Sequence, residues 1–398
     1  NRELRKQFYT AYSTRASELQ NQGQYDNASV MREILQARQT LAQLHNRPHF
    51  ADYALTTKMA ESANEVISFL NDLNAAAKPV AEQEVADLIE FVANTGGPNK
   101  LQAWDMAYYS EKLRKQNFLF SVEKVREFFA ADTVINGLFE VVHRLFGISA
   151  RIARAPSVWN IANVKFYELL DENQQVIGGF YTDLYTRSGK RSGAWMDTCL
   201  SRRMQKKTLE LPVAYLTCNF TPPLEDNPAL LTHDEVETLF HEFGHCLHHL
   251  LTQVLEPDVG GINGVAWDAV ELPSQFLENW CWEPEVIPMI SSHYESGEAL
   301  PKELLDKMLA AKNFQSGMQM VRQLEFSLFD FRLHREYSAE QPTDVQSLLN
   351  DIRQQVAVVA PPAFNKFQNG FSHIFAGGYA AGYYSYKWAE VLSADAYS

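Results

Sequence analysis

Apolar residues recur at three- and four-residue intervals along much of the chain, a spacing that places them on one face of an α-helix. In the first 150 residues this pattern predicts helix after helix, and three stretches stand out: residues 30–44, 66–73 and 85–92. We expect the second stretch to end before Pro79 and the third to end at Gly96-Gly97-Pro98, because proline and glycine interrupt helices. From Leu300 onward the helical spacing returns.

Near Pro156 the pattern changes to short runs rich in β-branched and aromatic residues, which predict strands. Residues 164–170 and 176–185 flank a turn at 171–173 and predict a hairpin or meander, while residues 211–220 predict a further strand. The fold class that follows is mainly α, with a small β-sheet.

Residues 232–251, THDEVETLFHEFGHCLHHLL, predict the helix around which the rest of the chain is organised. Seven apolar residues recur with helical spacing and form its core face: Val236, Leu239, Phe240, Phe243, Leu247, Leu250 and Leu251. Thr232 followed by Glu235 is a capping box, which places the helix start just before His233. The opposite face is polar and carries Glu237, His241, His245 and His248.

The polar face of this helix contains the motif HEFGH at residues 241–245. His241 and His245 lie one turn apart, so two imidazoles can bind one zinc ion at about 2.0–2.1 Å. Glu242 points about a quarter turn away, where it can hold and deprotonate a water at the metal, the general-base role in HExxH sites. Gly244 is small enough to let another element approach the metal face.

A catalytic zinc ion needs a third protein ligand and an open position for water. Four downstream carboxylates are candidates: Asp258, Asp268, Glu271 and Glu278. Glu271 opens a helix-like tract in which Pro273 is tolerated near the first turn, whereas Asp258 lies among glycines. Asp268 and Glu278 fall near the same face as Glu271, where they could accept hydrogen bonds from the other ring nitrogens of the ligand histidines.

A small sheet beside the metal helix would have a mechanical use, because an extended peptide can pair with an exposed strand edge and so align its scissile bond. The sequence leaves two candidates for that edge, Gly193-Ala194-Trp195 and part of 211–220.

A second candidate site is the tyrosine segment, residues 373–386, which is dense in glycine and tyrosine. Peptide hydrolysis creates an oxyanion, and a tyrosine hydroxyl or imidazole N–H aimed at it lowers the barrier by up to about 3–4 kcal/mol. Nearby glycines would let such a segment move onto bound substrate. From spacing alone, an aromatic helix packed in the core remains the alternative.

Composition narrows the class of protein. Of the 398 residues 46% are hydrophobic, which is enough for a sizeable core and two lobes. The net charge of −14 disfavours nucleic acid or an anionic membrane surface as a partner. The four cysteines (Cys199, Cys218, Cys246 and Cys281) show no CxxC spacing, so we expect neither a thiolate zinc site nor disulfides, which suits the cytoplasm. No apolar run approaches the roughly 18 residues of a membrane span.

HEFGH followed by ELPSQFLENW at 271–280 resembles the thimet oligopeptidase family of zinc metallopeptidases, whose fold is a helical, zincin-type one. Three further segments are similar to that family: GGFYTDLYTRSGKRSGAW at 178–195, LTCNFTPP at 216–223 and HIFAGGYAAGYYSYKWAEV at 373–391. The resemblance implies that one zinc ion is bound by His241, His245 and Glu271, with Glu242 as the base.

In the tyrosine segment the resemblance implies residues that contact the substrate and stabilise the transition state: His373, Tyr379, Tyr383 and Tyr386, with Gly378 beside them. Of these, Tyr379 and Tyr386 are expected to donate to the oxyanion. The core-helix alternative therefore becomes the less favoured of the two.

The resemblance also implies that two regions of the chain have different roles. Residues 1–155 would form part of a channel wall, and residues 156–398 would form the zinc-binding catalytic region with the sheet, the HExxH helix, the glutamate helix and the tyrosine-rich tail. Because the chain starts without methionine and stops within a helical pattern, we expect a fragment of a longer protein.

The activity implied is hydrolysis of short peptides by a cytoplasmic, monomeric zinc endopeptidase. One alternative is a dipeptidyl carboxypeptidase of the same family, which needs a cation for the substrate's terminal carboxylate, and four are available: Lys190, Arg191, Lys366 and Lys387. The other is a peptide-binding fragment with an idle zinc site, against which the intact HExxH motif argues.

Overall fold

The structure, a computed structural model, describes residues 1–119, 121–159, 163–224, 227–341 and 344–398. In chain order the helices are α1 (Arg2–Ser13), α2 (Ala28–Leu44), α3 (Phe50–Ala54), α4 (Ala63–Asn94), α5 (Met106–Phe118), α6 (Val122–Arg126), α7 (Ala131–Phe146), α8 (His233–Leu250), α9 (Leu272–Asn279), α10 (Ile287–Ile290), α11 (Lys302–Ala311), α12 (Ser316–Glu336), α13 (Val345–Val356), α14 (Ser372–Phe375) and α15 (Ser385–Tyr397). The strands are β1 (Ser149–Ile152), β2 (Lys165–Leu170), β3 (Val176–Tyr185), β4 (Trp195–Leu200), β5 (Arg203–Gln205), β6 (Thr208–Glu210) and β7 (Val213–Phe220).

This architecture confirms the mainly helical fold with a small sheet. The chain divides into two compact units, one of Asn1–Leu119 with Ala311–Lys387 and the other of Phe120–Ala310 with Trp388–Ser398. That partition differs from the boundary expected between residues 155 and 156, because residues 311–387 return to pack with the N-terminal helices. The proposed channel-wall role of residues 1–155 stays a prediction.

In the first unit, α4 and α12 pack along each other. A Cβ atom on Gly317 of α12 would stand 2.8 Å from the amide nitrogen of Ala81 in α4, so glycine permits the close approach there. The expectation that a helix ends before Pro79 is wrong, since α4 runs through it. Proline removes one amide donor, but Ala75 and Pro79 are both exposed, so water can bond the carbonyl that loses its partner.

In the second unit, five strands form one sheet in the order β1-β2-β3-β7-β4. The predicted pair β2 and β3 is antiparallel, as expected for a hairpin, whereas β3 and β7 are parallel. Because β7 lies between β3 and β4, the strand within 211–220 is internal and β4, which starts at Trp195, forms an edge. The strands β5 and β6 make a separate hairpin.

Helix α8 packs against β7 and β4 and contributes to the main apolar core of this unit. The capping box is present as predicted: Thr232 Oγ1 accepts from the Glu235 amide, and the Glu235 carboxylate accepts from the Thr232 amide. Cys246 is fully buried in that core, and the four cysteines, all within the described ranges, form no disulfide. Across the described ranges, no helix combines the length and apolar character needed to cross a bilayer.

Candidate metal centre

The structure brings His241, His245 and Glu271 together in the second unit. One possible ligand atom from each lies within 4.8 Å of the others. The Nε2 atoms of both histidines are 3.1 Å from the same Glu271 oxygen, Oε2. Ligands of a tetrahedral zinc ion at about 2.0–2.2 Å stand roughly 3.3–3.5 Å apart, so the spacing of this set suits a zinc ion.

Two packed helices position these three side chains. His241 and His245 lie one turn apart on α8, while Glu271 immediately precedes α9 as its N-cap residue. The helices can meet because a Cβ atom on Gly244 would stand only 2.5 Å from the Pro273 carbonyl oxygen and 2.6 Å from the Ser274 Cα atom. The predicted role of Gly244, a close approach at the metal face, agrees with this contact.

Ser274 orients the Glu271 carboxylate. Its hydroxyl lies 2.8 Å from the Glu271 carbonyl oxygen and 3.0 Å from Glu271 Oε2, and it is fully buried. Sequence reasoning missed this residue, although a serine three residues after Glu271 in a helical tract can bond back to that residue through its hydroxyl. The serine fixes which carboxylate oxygen faces the two imidazoles.

Of the two further carboxylates expected near the histidines, Glu278 hydrogen-bonds to one of them. Its Oε1 atom is bonded to Nδ1 of His241, the ring nitrogen that does not face Glu271. Asp268 is fully buried just before Glu271, and its part as an acceptor for a histidine ring stays a prediction. Asp258 lies apart in a 3-10 turn, Pro257–Val259, outside the cluster of possible ligands.

Glu242 is buried, with a relative exposure of 5%, and its Oε2 atom has no hydrogen-bond partner within the described part of the chain. Burial raises the pKa of this carboxyl, the two histidines lower it, and Glu271 and Glu278 raise it further. A buried carboxylate with an unengaged oxygen and a raised pKa is suited to accepting a proton.

The charges of the cluster also suit a cation. Burial by itself would raise the pKa of Glu271, but hydrogen bonds from His241 and His245 outweigh it and hold that pKa well below its usual range. Burial likewise would lower the pKa of His241, yet its bonds to Glu271 and Glu278 raise it well above the ordinary value. Buried carboxylates are therefore stabilised here only beside positive charge, which a divalent metal would supply.

The tyrosine segment belongs to the first unit, and there the structure groups its four predicted side chains. The rings of Tyr379 and Tyr386 stack at 4.9 Å with an interplanar angle of 17°, and the His373 ring lies 5.6 Å from that of Tyr383. Tyr383 is buried and its hydroxyl donates to Gln323, whereas Tyr379 and Tyr386 are partly exposed. Gly378 is exposed in the turn between α14 and α15.

The cations considered for a substrate carboxylate differ in their surroundings. Lys190 is not available for that role, because its side chain is 3% exposed and its ammonium donates to the carbonyls of Asp183, Tyr185 and Cys218 and pairs with the Asp183 carboxylate. Lys366 pairs with Glu18, and Arg191 lies over the Trp195 ring.

Comparison with known proteins agrees with the motifs. The model of peptidase family M3 matches residues 1–398. Oligopeptidase A of Salmonella typhimurium is 55% identical, oligopeptidase A of Escherichia coli is 54% identical, and dipeptidyl carboxypeptidase of Escherichia coli is 34% identical, each over the whole chain. The chain spans 59%, 59% and 58% of their respective lengths.

A solved structure described as PZ peptidase A with inhibitor 2 matches all of this chain and 59% of its own, with a TM-score of 0.61 at 15% identity, which supports the fold. The whole-chain family match and the identities above 50% decide the assignment. The chain belongs to peptidase family M3.

Proposed function

We propose that this chain carries the catalytic centre of a zinc-dependent oligopeptidase that hydrolyses peptide bonds in short peptides. The observation that carries the proposal is the convergence of His241, His245 and Glu271 with the buried Glu242. Oligopeptidase A relatives above 50% identity support the same reaction class.

The metal ligands would be His241 Nε2, His245 Nε2 and the Glu271 carboxylate, leaving one coordination position open. When bound, zinc supplies a Lewis acid that polarises the scissile carbonyl and lowers the pKa of water. Glu242 holds the attacking water through its carboxylate and accepts the proton, which it can pass to the leaving amine. Glu278 fixes the ring of His241 by bonding its Nδ1 atom.

The edge strand β4 would align the substrate. An extended peptide can add to an exposed edge through main-chain hydrogen bonds. Helix α8 packs against β4, and His249 Nε2 bonds the Leu200 carbonyl at the end of that strand. This contact supports β4, rather than β7, as the strand that presents a peptide to the α8 histidines.

For the tyrosine segment we propose that Tyr379 and Tyr386 donate hydrogen bonds to the oxyanion, while His373, Tyr383 and Gly378 contact the substrate. The family resemblance supports these roles, and the partial exposure of both donor tyrosines leaves them accessible. We further propose a monomer in a reducing compartment such as the cytoplasm; the four cysteines, present as thiols, support the compartment.

Endopeptidase rather than dipeptidyl carboxypeptidase activity is the better-supported reading, because the dipeptidyl carboxypeptidase relatives are 32–34% identical and Lys190 is enclosed. The discriminating experiment uses a quenched fluorescent nonapeptide blocked at its C-terminus. Turnover that stops with a chelator and returns with zinc is the expected result. If only the same peptide with a free C-terminus were cleaved, two residues from that terminus, the result would favour the dipeptidyl carboxypeptidase. Binding without turnover would instead identify an idle peptide-binding site.

A further inference from the structure

Asp330, on α12, accepts hydrogen bonds from three consecutive backbone amides of the tyrosine segment. The amide of Ala381 donates to Oδ1 at 2.9 Å, and those of Gly382 and Tyr383 donate to Oδ2 at 2.8 and 2.9 Å. The Asp330 side chain is fully buried. A buried carboxylate that accepts several amide hydrogen bonds fixes the backbone it binds, because a buried amide left without a partner is costly.

The Asp330 carboxylate lies beside the buried His334, which is in turn bonded to the half-buried Arg38. Nδ1 of His334 lies 2.8 Å from the backbone carbonyl oxygen of Asp330 and 3.0 Å from its Oδ1 atom. Nε2 of His334 lies 2.9 Å from Nη1 of Arg38. Since a guanidinium can only donate, the Nε2 atom accepts and the proton of the imidazole resides on Nδ1, where it donates to the backbone carbonyl of Asp330 and faces its carboxylate. Arg38 thus fixes a ring that lies against both the backbone and the carboxylate of Asp330.

In sequence, the amides bonded to Asp330 lie between Tyr379 and Tyr386, whose rings stack on each other. Ala381 adopts a left-handed backbone with a φ of 47° although it is not glycine, a conformation that only strong local contacts maintain. Tyr379 precedes this anchor by two residues and Tyr386 follows Tyr383 by three, and their rings meet at 4.9 Å. The bend at residues 381–383 is therefore what brings the two hydroxyl-bearing rings together.

We propose that Asp330 is a positioning residue: by binding the amides of residues 381–383, its carboxylate sets where the hydroxyl groups of Tyr379 and Tyr386 stand. The inference rests on the proposed role of those tyrosines as oxyanion donors. A misplacement of about 1 Å in a catalytic group can lower the rate about a hundredfold, so the anchor matters more for turnover than for substrate affinity.

The test is Asp330→Asn, which keeps the volume but replaces one acceptor oxygen with a donor that faces backbone amides. Hydrogen–deuterium exchange of a peptide covering residues 376–386 should speed up at least tenfold, and kcat should fall about a hundredfold while KM and zinc content change less than threefold.

Glu325→Gln is the matched control. Glu325 is also buried on α12 and pairs with Arg322 and Arg353. In the described contacts its carboxylate is not bonded to the tyrosine segment. The substitution should lower the melting temperature and leave kcat and the exchange of residues 376–386 unchanged.

A double-mutant cycle separates positioning from general destabilisation. If Asp330 acts through the tyrosines, Tyr386→Phe should reduce kcat much less in the Asp330→Asn background than in the wild type. Additive effects, or exchange of residues 376–386 that stays at the wild-type rate, would overturn the inference. Should Tyr379→Phe and Tyr386→Phe keep full kcat in the wild-type background, the donor role fails first, while the exchange experiment still decides whether Asp330 anchors the segment.

If Asp330→Asn does not fold, Arg38→Lys gives the same comparison from further away. It keeps the positive charge but loses the planar guanidinium whose Nη1 bonds His334 Nε2, so exchange and kcat should shift in the same direction by a smaller factor. Unchanged values of both in this variant would contradict the proposed chain from Arg38 to the tyrosines.

Discussion

The metal centre and the tyrosine segment are held in place by different kinds of structure. Two histidines one turn apart on α8 and a glutamate that precedes α9 form the metal centre, so regular helices set its geometry. The tyrosine segment is an irregular turn, and its amides bond to Asp330, which lies 51–53 residues earlier in the chain. Local spacing thus specifies the histidine pair and the packing of α9 adds Glu271, whereas the tyrosine segment depends on a contact with Asp330 that is more distant in sequence.

The largest effect is expected from removing a metal ligand. His241→Ala, His245→Ala and Glu271→Ala should each lower zinc affinity by more than the roughly 10–100-fold that loss of an outer hydrogen-bond partner costs. Glu278→Gln, which disturbs only the bond to His241, provides that smaller reference effect. Competition with a fluorescent chelator measures both. Stoichiometric, tight zinc in Glu271→Ala would remove Glu271 from the ligand set.

Glu242→Gln should separate base from ligand. The amide can hold the attacking water but cannot take its proton, so kcat should fall about 10²–10⁴-fold while zinc content stays at wild-type level. Steady-state kinetics with metal analysis checks this. Loss of the metal in this variant would show that Glu242 is a metal ligand and would contradict its assignment as the base.

In the tyrosine segment, Tyr379→Phe and Tyr386→Phe should each lower kcat and kcat/KM about 10²–10³-fold, with little change in KM and in zinc content. Tyr384→Phe is the control, because that ring is fully buried beside Phe331 and should affect only the melting temperature. If both test variants kept kcat within about threefold, the donor role would be refuted and the segment would be core packing.

The smallest effect tests whether helix packing sets the metal geometry. Gly244→Ala gains up to about 1 kcal/mol of helix propensity, but overpacking costs about 1–3 kcal/mol. The backbone of Pro273 and Ser274 cannot rotate away, so we expect a net loss of stability and weaker zinc binding. Gly137 lies on α7, where a Cβ atom would stand 2.3 Å from the Met289 carbonyl oxygen of α10, so Gly137→Ala should destabilise the fold without changing zinc affinity. Equal zinc affinity in both variants would contradict the packing argument.

The same difference between local and sequence-distant contacts decides which features of the fold and of the site could be predicted from the sequence. The start of α8, its capping box and the pair β2 and β3 were predictable, because each depends on residues close together in the chain. Pro79 was misjudged because packing of α4 on α12 outweighs one lost amide donor, and such packing has no local pattern. The enclosure of Lys190 and the anchoring role of Asp330 were likewise out of reach, since their partners are carbonyls and amides that any sequence has.

The packing of α4 on α12 has a consequence for synthesis on the ribosome. Helix α4 is complete at Asn94, but its partner begins only at Ser316. Because the ribosome adds about 5–20 residues per second, the apolar face of α4 has no α12 to pack against for roughly 10–40 s. The larger part of the second compact unit, Phe120–Ala310, is synthesised within this interval, whereas the nascent N-terminal helices present a surface for chaperones. Ribosome profiling of chaperone-bound nascent chains should find engagement after residue 94 and release once α12 has emerged.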